Sequence, residues 1–155
     1  CEATTEERAK MIDQLREELE IDEGVKYEIY LDHLGLKTCG IGHLCRKGEA
    51  EYDMEVGDPV SEERVAELFE KDIGWTENDC YKLIPDFDML PETVRLIVCN
   101  MMFNMGINRL GMFKRLLAAI ESREWQKAAV EMADSKWARQ VPNRSGRLIE
   151  RMKAV

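Results

Sequence analysis

Tyr27-Glu28-Ile29-Tyr30-Leu31, then Asp32-His33-Leu34-Gly35, then Lys37-Thr38-Cys39-Gly40-Ile41-Gly42 is the stretch that decides the fold. The first run alternates in polarity, the second holds a glycine-containing turn, and the third returns toward a Gly-x-Gly corner. The pattern predicts a β-hairpin. Upstream, residues 5–22 predict a helix, with Thr4 or Thr5 as cap and Glu6 and Glu7 in its first turn. Ile12, Leu15 and Leu19 form its apolar stripe, and Gly24 ends it. Downstream, residues 46–59 carry Gly48, Gly57 and Pro59 and read as loop, with room for one more short strand.

The rest of the chain is helical in texture. Ser61 is a natural N-cap ahead of Glu62 and Glu63, and Val65, Leu68, Phe69 and Ile73 follow at helical spacing. This helix is expected to reach about Leu83, with Pro85 beyond it. From Pro91 the residues Val94, Ile97, Val98, Met101, Met102 and Met105 are apolar nearly all round. That predicts a central buried helix closed at Gly106. Shorter helices are expected at about 111–120, 123–133, 136–140 and 143–152. The methionines read as core filler rather than a cofactor box. The fold class is therefore α+β. Residues 1–60 form a small lobe with the first helix and the β-hairpin sheet, 61–84 a long connecting helix, and 85–155 an all-helical C-terminal lobe.

Composition bounds the function. The chain has 155 residues, 45 % hydrophobic and 34 % charged, which excludes disordered and fibrous classes. No apolar run is long enough to span a membrane. The opening Cys1-Glu2-Ala3-Thr4-Thr5-Glu6 does not read as a secretory leader, and without an initial Met the chain reads as trimmed, mature or excised. Net charge is −9, but residues 1–87 hold 10 Lys and Arg against 24 Asp and Glu, whereas residues 88–155 hold 12 against 7. Either the two halves focus a field between them, or they are two separately solvated surfaces. Arg139, Arg144, Arg147, Arg151 and Lys153 read as a solvated basic face or an attractor for an anionic wall. Nucleic acid is a poor partner for this charge balance. Of the five cysteines, Cys80 and Cys99 read as buried small hydrophobes. Cys39 and Cys45 flank the Gly-x-Gly corner, where either a disulfide or two thiols fits the spacing. Cys1 leaves an odd count.

The chemistry concentrates around the hairpin. Glu23 sits at a helix end, Asp32 at the hairpin turn, and Thr38 on the returning strand, folded back toward both acids. Glycoside hydrolysis needs one protonated carboxyl and one carboxylate on opposite sides of the scissile bond. Thr38 can hydrogen-bond a water held by Asp32. A bare Glu/Asp pair in a chain with 31 acids is commonplace. The whole string is more specific. Ile21-Asp22-Glu23-Gly24, Ile29-Tyr30-x-Asp32 and Thr38-x-Gly40-Ile41-Gly42-His43-Leu44 resemble the phage-type (T4-like) lysozymes. The resemblance continues through Glu67-Leu68-Phe69-x-x-Asp72, Asn100-Met101-x-Phe103-x-Met105-Gly106, Arg123-x-Trp125-x-x-Ala128-Ala129-Val130, Ser135-x-Trp137 and Pro142-Asn143-Arg144. It covers roughly residues 13 to 152.

What the resemblance implies is specific. Glu23 matches the general acid, Asp32 the carboxylate that positions or activates water, and Thr38 the residue that helps hold it, with inversion at the anomeric carbon. Leu44 and Phe103 match sugar contacts, as do positions 116 and 131. Here these are Leu116 and Glu131, where polar uncharged residues are the family pattern. Arg144 matches a residue facing the catalytic Glu, and His43 is expected to pair with Asp72. Trp125 and Trp137 are expected to pack in the core. The implied activity is a muramidase, cutting the β-1,4 bond between N-acetylmuramic acid and N-acetylglucosamine across a cleft between lobes. No metal or organic cofactor is implied. The partner is bacterial peptidoglycan, with no nucleic acid and no membrane, and the chain is expected to be a monomer acting outside the cytoplasm, in a periplasm, a cell wall or an extracellular space. Two alternatives stand beside it: a non-catalytic glycan-binding or structural module of a larger viral assembly, and a lytic transglycosylase.

Overall fold

The computed structural model describes residues 4–155, so Cys1 and its pairing lie outside the described residues. The chain divides into two compact units. One is residues 16–75; the other is residues 76–155 together with the chain up to Leu15. Helix α1 (Thr5–Glu23) is capped by Thr4, whose Oγ1 accepts from the Glu7 amide at 3.1 Å. Its buried stripe is Met11, Leu15 and Leu19, one position off the expected Ile12, which is only half-buried. At its end Gly24 takes a positive φ and its amide donates to Glu20 O.

In the unit of residues 16–75, strands β1 (Lys26–Leu31), β2 (Lys37–Gly40) and β3 (His43–Leu44) make an antiparallel sheet in that order. The expected hairpin is present. Tyr30 lies opposite Thr38 and Leu31 opposite Lys37, while the register slips between Lys26 and Tyr30. The extra strand expected within 46–59 is instead β3. Residues 46–59 hold a short 3-10 turn (Ala50–Asp53) and a single bridge between Pro59 and Glu28. The reason is local: Gly40 and Gly42 both take φ +59, a conformation that turns the chain back at once and pairs only two more residues. Helix α2 (Glu62–Leu83) starts where expected, with Ser61 Oγ accepting from the Arg64 amide at 3.1 Å. Val65, Leu68, Phe69 and Ile73 supply its buried face in this unit.

In the other unit, α3 (Glu92–Leu110) is central, burying Val94, Ile97, Val98, Cys99, Met101 and Met102. The expected stop at Gly106 is a kink instead. Gly106 leaves helical geometry (φ 79, ψ 167), and the chain resumes helix to Leu110. The next helix therefore begins late. Residues 111–113 turn the chain, and α4 runs Lys114–Glu121. Helices α5 (Trp125–Ala133), α6 (Lys136–Gln140) and α7 (Pro142–Lys153) follow, with α5 packed on α4 and α7, and α7 on α3. Cys39, Cys45, Cys80 and Cys99 are all buried thiols. No helix among the described residues is long and apolar enough to cross a membrane.

Candidate active site

The hairpin turn is organised by Asp32. Its Oδ1 accepts from the amides of Leu34 (2.8 Å) and Leu36 (2.9 Å), while its own amide donates to Leu36 O. An aspartate here builds the turn with its side chain, and the two amides stabilise its charge. The Leu36 amide is the main reason the Asp32 carboxyl sits below the usual range, and the Leu34 amide adds to it. The Gly35 amide pushes the same way, so Asp32 is an anion at neutral pH. Thr38, on β2, is buried, and its hydroxyl donates to Leu36 O at 3.0 Å. That spends its one proton and leaves its lone pairs as acceptors.

Glu23, half-buried at the last position of α1, lies against the Gly-x-Gly corner. A Cβ added at Gly42 would stand 3.0 Å from Glu23 Oε2 and 3.1 Å from its Cβ. Gly42 is therefore glycine for two reasons, its positive φ and the carboxylate against it. The sheet register places Tyr30, Thr38 and Leu44 side by side across the three strands, on one face. Leu44 is substantially exposed there. Burial pushes the Tyr30 phenol pKa up, and the nearby carboxylates of Glu23 and Asp32 push the same way. Its hydroxyl is thereby kept protonated as a donor, with Lys26 Nζ over its ring at 4.3 Å.

Beneath the other face, His43 is 2 % exposed and held on both nitrogens. Nδ1 lies 2.6 Å from Asp72 Oδ2, and Nε2 lies 2.9 Å from Glu49 Oε1. Burial opposes charge on His43, but Asp72 and then Glu49 outweigh it and raise its pKa above the ordinary value. Burial likewise opposes ionisation of Glu49, yet His43, the Arg46 amide and Lys71 bring it down to about 2. Arg64 closes the same loop onto α2, with Nη2 2.7 Å from the buried Glu51. The cluster is a brace that fixes β3 and the 46–59 segment to α2.

The chain is similar to known proteins along most of its length. The phage lysozyme family profile matches residues 20–154. The chain is 34 % identical to probable T4-type lysozyme 2 of Dictyostelium discoideum, covering 90 % of this chain and 93 % of that protein. It is also 34 % identical to probable T4-type lysozyme 1 of the same organism, at the same coverage.

The chain belongs to the phage lysozyme family.

Membership supports a lysozyme function, that of a glycoside hydrolase with peptidoglycan as its substrate. A further relative, the pre-baseplate central spike protein Gp5 of Enterobacteria phage T4, is 28 % identical over 86 % of this chain but only 26 % of its own length.

The remaining residues singled out from sequence in this family member lie in the helical unit. Phe103 is half-buried on α3. Leu116 on α4 is buried, and Glu131 on α5 is half-buried. Both line a cavity of about 490 Å³ together with Phe113, Lys136 and Trp137. Trp137 is buried, as expected, with Nε1 donating to Asn104 Oδ1 at 2.8 Å. Arg144 is not part of a solvated basic face. It is 7 % exposed, and its Nε donates to Asn100 Oδ1 at 2.8 Å. Sequence reasoning missed Glu49, which carries no signal among so many acids. It also missed Tyr30, which the hairpin alternation already puts on the Asp32 side, two residues before it.

Proposed function

We propose that this chain is a muramidase that hydrolyses the β-1,4 bond between N-acetylmuramic acid and N-acetylglucosamine, inverting the anomeric carbon. Glu23 protonates the leaving oxygen, and Asp32 and Thr38 hold the attacking water. The observation that carries the reading is how Asp32 and Thr38 spend their hydrogen bonds. Asp32 is a carboxylate fixed through Oδ1 by two amides, and Thr38, having donated to Leu36 O, is an acceptor only. A water between them donates one proton to each, which leaves its lone pairs facing away as the nucleophile. As carbon–oxygen bond formation proceeds, Asp32 takes the water proton while Glu23 delivers its own to the departing sugar. No cofactor enters this chemistry.

Leu44, Phe103, Leu116 and Glu131 are assigned as wall contacts, with His43 and Asp72 bracing the catalytic sheet and Arg144 in a supporting role on the helical unit. The cavity shared by Leu116 and Glu131 supports treating those two as one subsite, apolar at Phe113, Leu116 and Trp137 and of mixed charge elsewhere. The chain acts as a monomer outside the cytoplasm, where its polymer lies. The test is digestion of purified, unmodified peptidoglycan by the wild type, Glu23→Gln and Asp32→Asn, with products read by mass spectrometry. Reducing, water-added muropeptides from the wild type alone support the reading. Anhydro products would make it a lytic transglycosylase. The match to a quarter of a phage spike protein favours a second reading, a module of a larger assembly. Wall binding by all three proteins with no products from any would establish it.

A further inference from the structure

The mechanism leaves four buried cysteines unused, and they are not scattered. Cys45 Sγ lies 3.9 Å from Cys39 Sγ, and Cys80 Sγ lies 3.9 Å from Cys99 Sγ. The first pair is within the unit of residues 16–75 and the second within the other unit. Cys39 faces His43 across β2 and β3, and Cys45, two residues on, is its diagonal neighbour on the same face. Cys80 on α2 and Cys99 on α3 are both fully buried, with their sulfurs facing each other between the two helices. Bond formation requires each sulfur pair to close by about 2 Å, within the swing of one side chain between staggered χ1 wells.

We propose that Cys39–Cys45 and Cys80–Cys99 are oxidation sites, each pair becoming a disulfide in an oxidising compartment, one bridge within each unit. Its natural occurrence rests on the reading that the chain works outside the cytoplasm. The oxidant is a small-molecule disulfide such as oxidised glutathione. One protein thiolate attacks a glutathione sulfur and releases a first glutathione. The second cysteine then attacks the protein-bound sulfur, closes the bridge and releases a second. The two protein thiol protons end on the two glutathione thiols, so each bridge consumes one oxidised glutathione. Burial pushes the Cys39 thiol up to about 12, and the Cys45 and Cys80 thiols are also raised, so the closed pairs react slowly. The bridges therefore form while the chain folds, before the pairs are sealed. The Cys39–Cys45 bridge also borders Thr38 and Leu44, so it fixes the two strands that carry the water-holding hydroxyl.

The experiment refolds the full chain in a mixture of reduced and oxidised glutathione, alkylates remaining thiols in denaturant, and maps the peptides. The expected result is two cross-linked peptides, Cys39 to Cys45 and Cys80 to Cys99, with alkylation at these four residues at least about tenfold below a reduced control. In Cys80→Ala, Cys99 becomes alkylated while the Cys39–Cys45 bridge persists. Alkylation at all four of these residues, or bridges that join one pair to the other or to Cys1, overturns the proposal. The readout needs no peptidoglycan. An inactive chain with both bridges counts against the catalytic reading alone, and an active chain with four free thiols counts against this one alone.

Discussion

The unit of residues 16–75 and the unit built on α3 are stabilised in different ways. The first has a thin three-stranded sheet and, beside its apolar residues, buries a connected charged cluster: His43, Glu49 and Glu51, paired to Asp72, Lys71 and Arg64. The second surrounds an apolar helix with four shorter ones, and Ile97, Met101, Ile120 and Met132 are essentially inaccessible. A small sheet cannot exclude enough water to stand on apolar burial alone, so ion pairs brace it. That bracing lets Asp32 sit on an exposed turn and still be held in one orientation. On the proposed mechanism, the chemistry lies on the unit with the smaller apolar core and the stronger electrostatic frame.

The comparison can be broken most forcefully at Asp32. Asp32→Asn keeps an Oδ1 for the Leu34 and Leu36 amides but cannot accept the water proton. Turnover is expected to fall by about 10²- to 10⁴-fold, with stability within about 0.5 kcal/mol of wild type by chemical denaturation. His43→Leu removes the imidazole shared by Asp72 and the buried Glu49 and is expected to destabilise by about 3–5 kcal/mol. That loss depends on pH. A raised His43 pKa contributes stability in full below its ordinary 6.5 and loses it as pH rises through the folded value. A lowered Glu49 contributes in full above its ordinary 4.5 and loses it toward about 2. The gap between wild type and variant is therefore widest between pH 4.5 and 6.5, read by urea titration across pH. Ile97→Ala in the other unit is expected to lose about 3 kcal/mol with no such pH profile, since it removes only packing. A matching pH profile in both variants would erase the distinction between the units. At the small end, Thr38→Val is expected to lower turnover by about tenfold through loss of one acceptor for the water, with KM little changed. Tyr30→Phe is expected to lower it by less than about tenfold.

Much of this was legible in the primary structure. The hairpin followed from alternation around a glycine turn, and α2 from Ser61 ahead of two acids, because both signals are local. Strand β3 was not legible, because two residues after paired positive-φ glycines leave no alternation to read. Gly106 signalled a break, but whether helix resumes after a kink depends on what packs around it. The candidate residues Glu23, Asp32 and Thr38 were found through motif order. Glu49 and the Cys80–Cys99 contact were not, since which charge is buried and which helices touch are decided by tertiary packing.

The measurement that tests the central claim most directly is the anomeric configuration of the first product, followed by proton NMR as the wild type cleaves a soluble glycan strand. A water held by Asp32 and Thr38 attacks opposite the leaving sugar, so the new reducing end should appear first as the α anomer and then equilibrate. A β anomer appearing first would mean that a protein group or the sugar's own acetamido oxygen, not water, attacks first. The account of how Asp32 and Thr38 spend their hydrogen bonds would then be wrong.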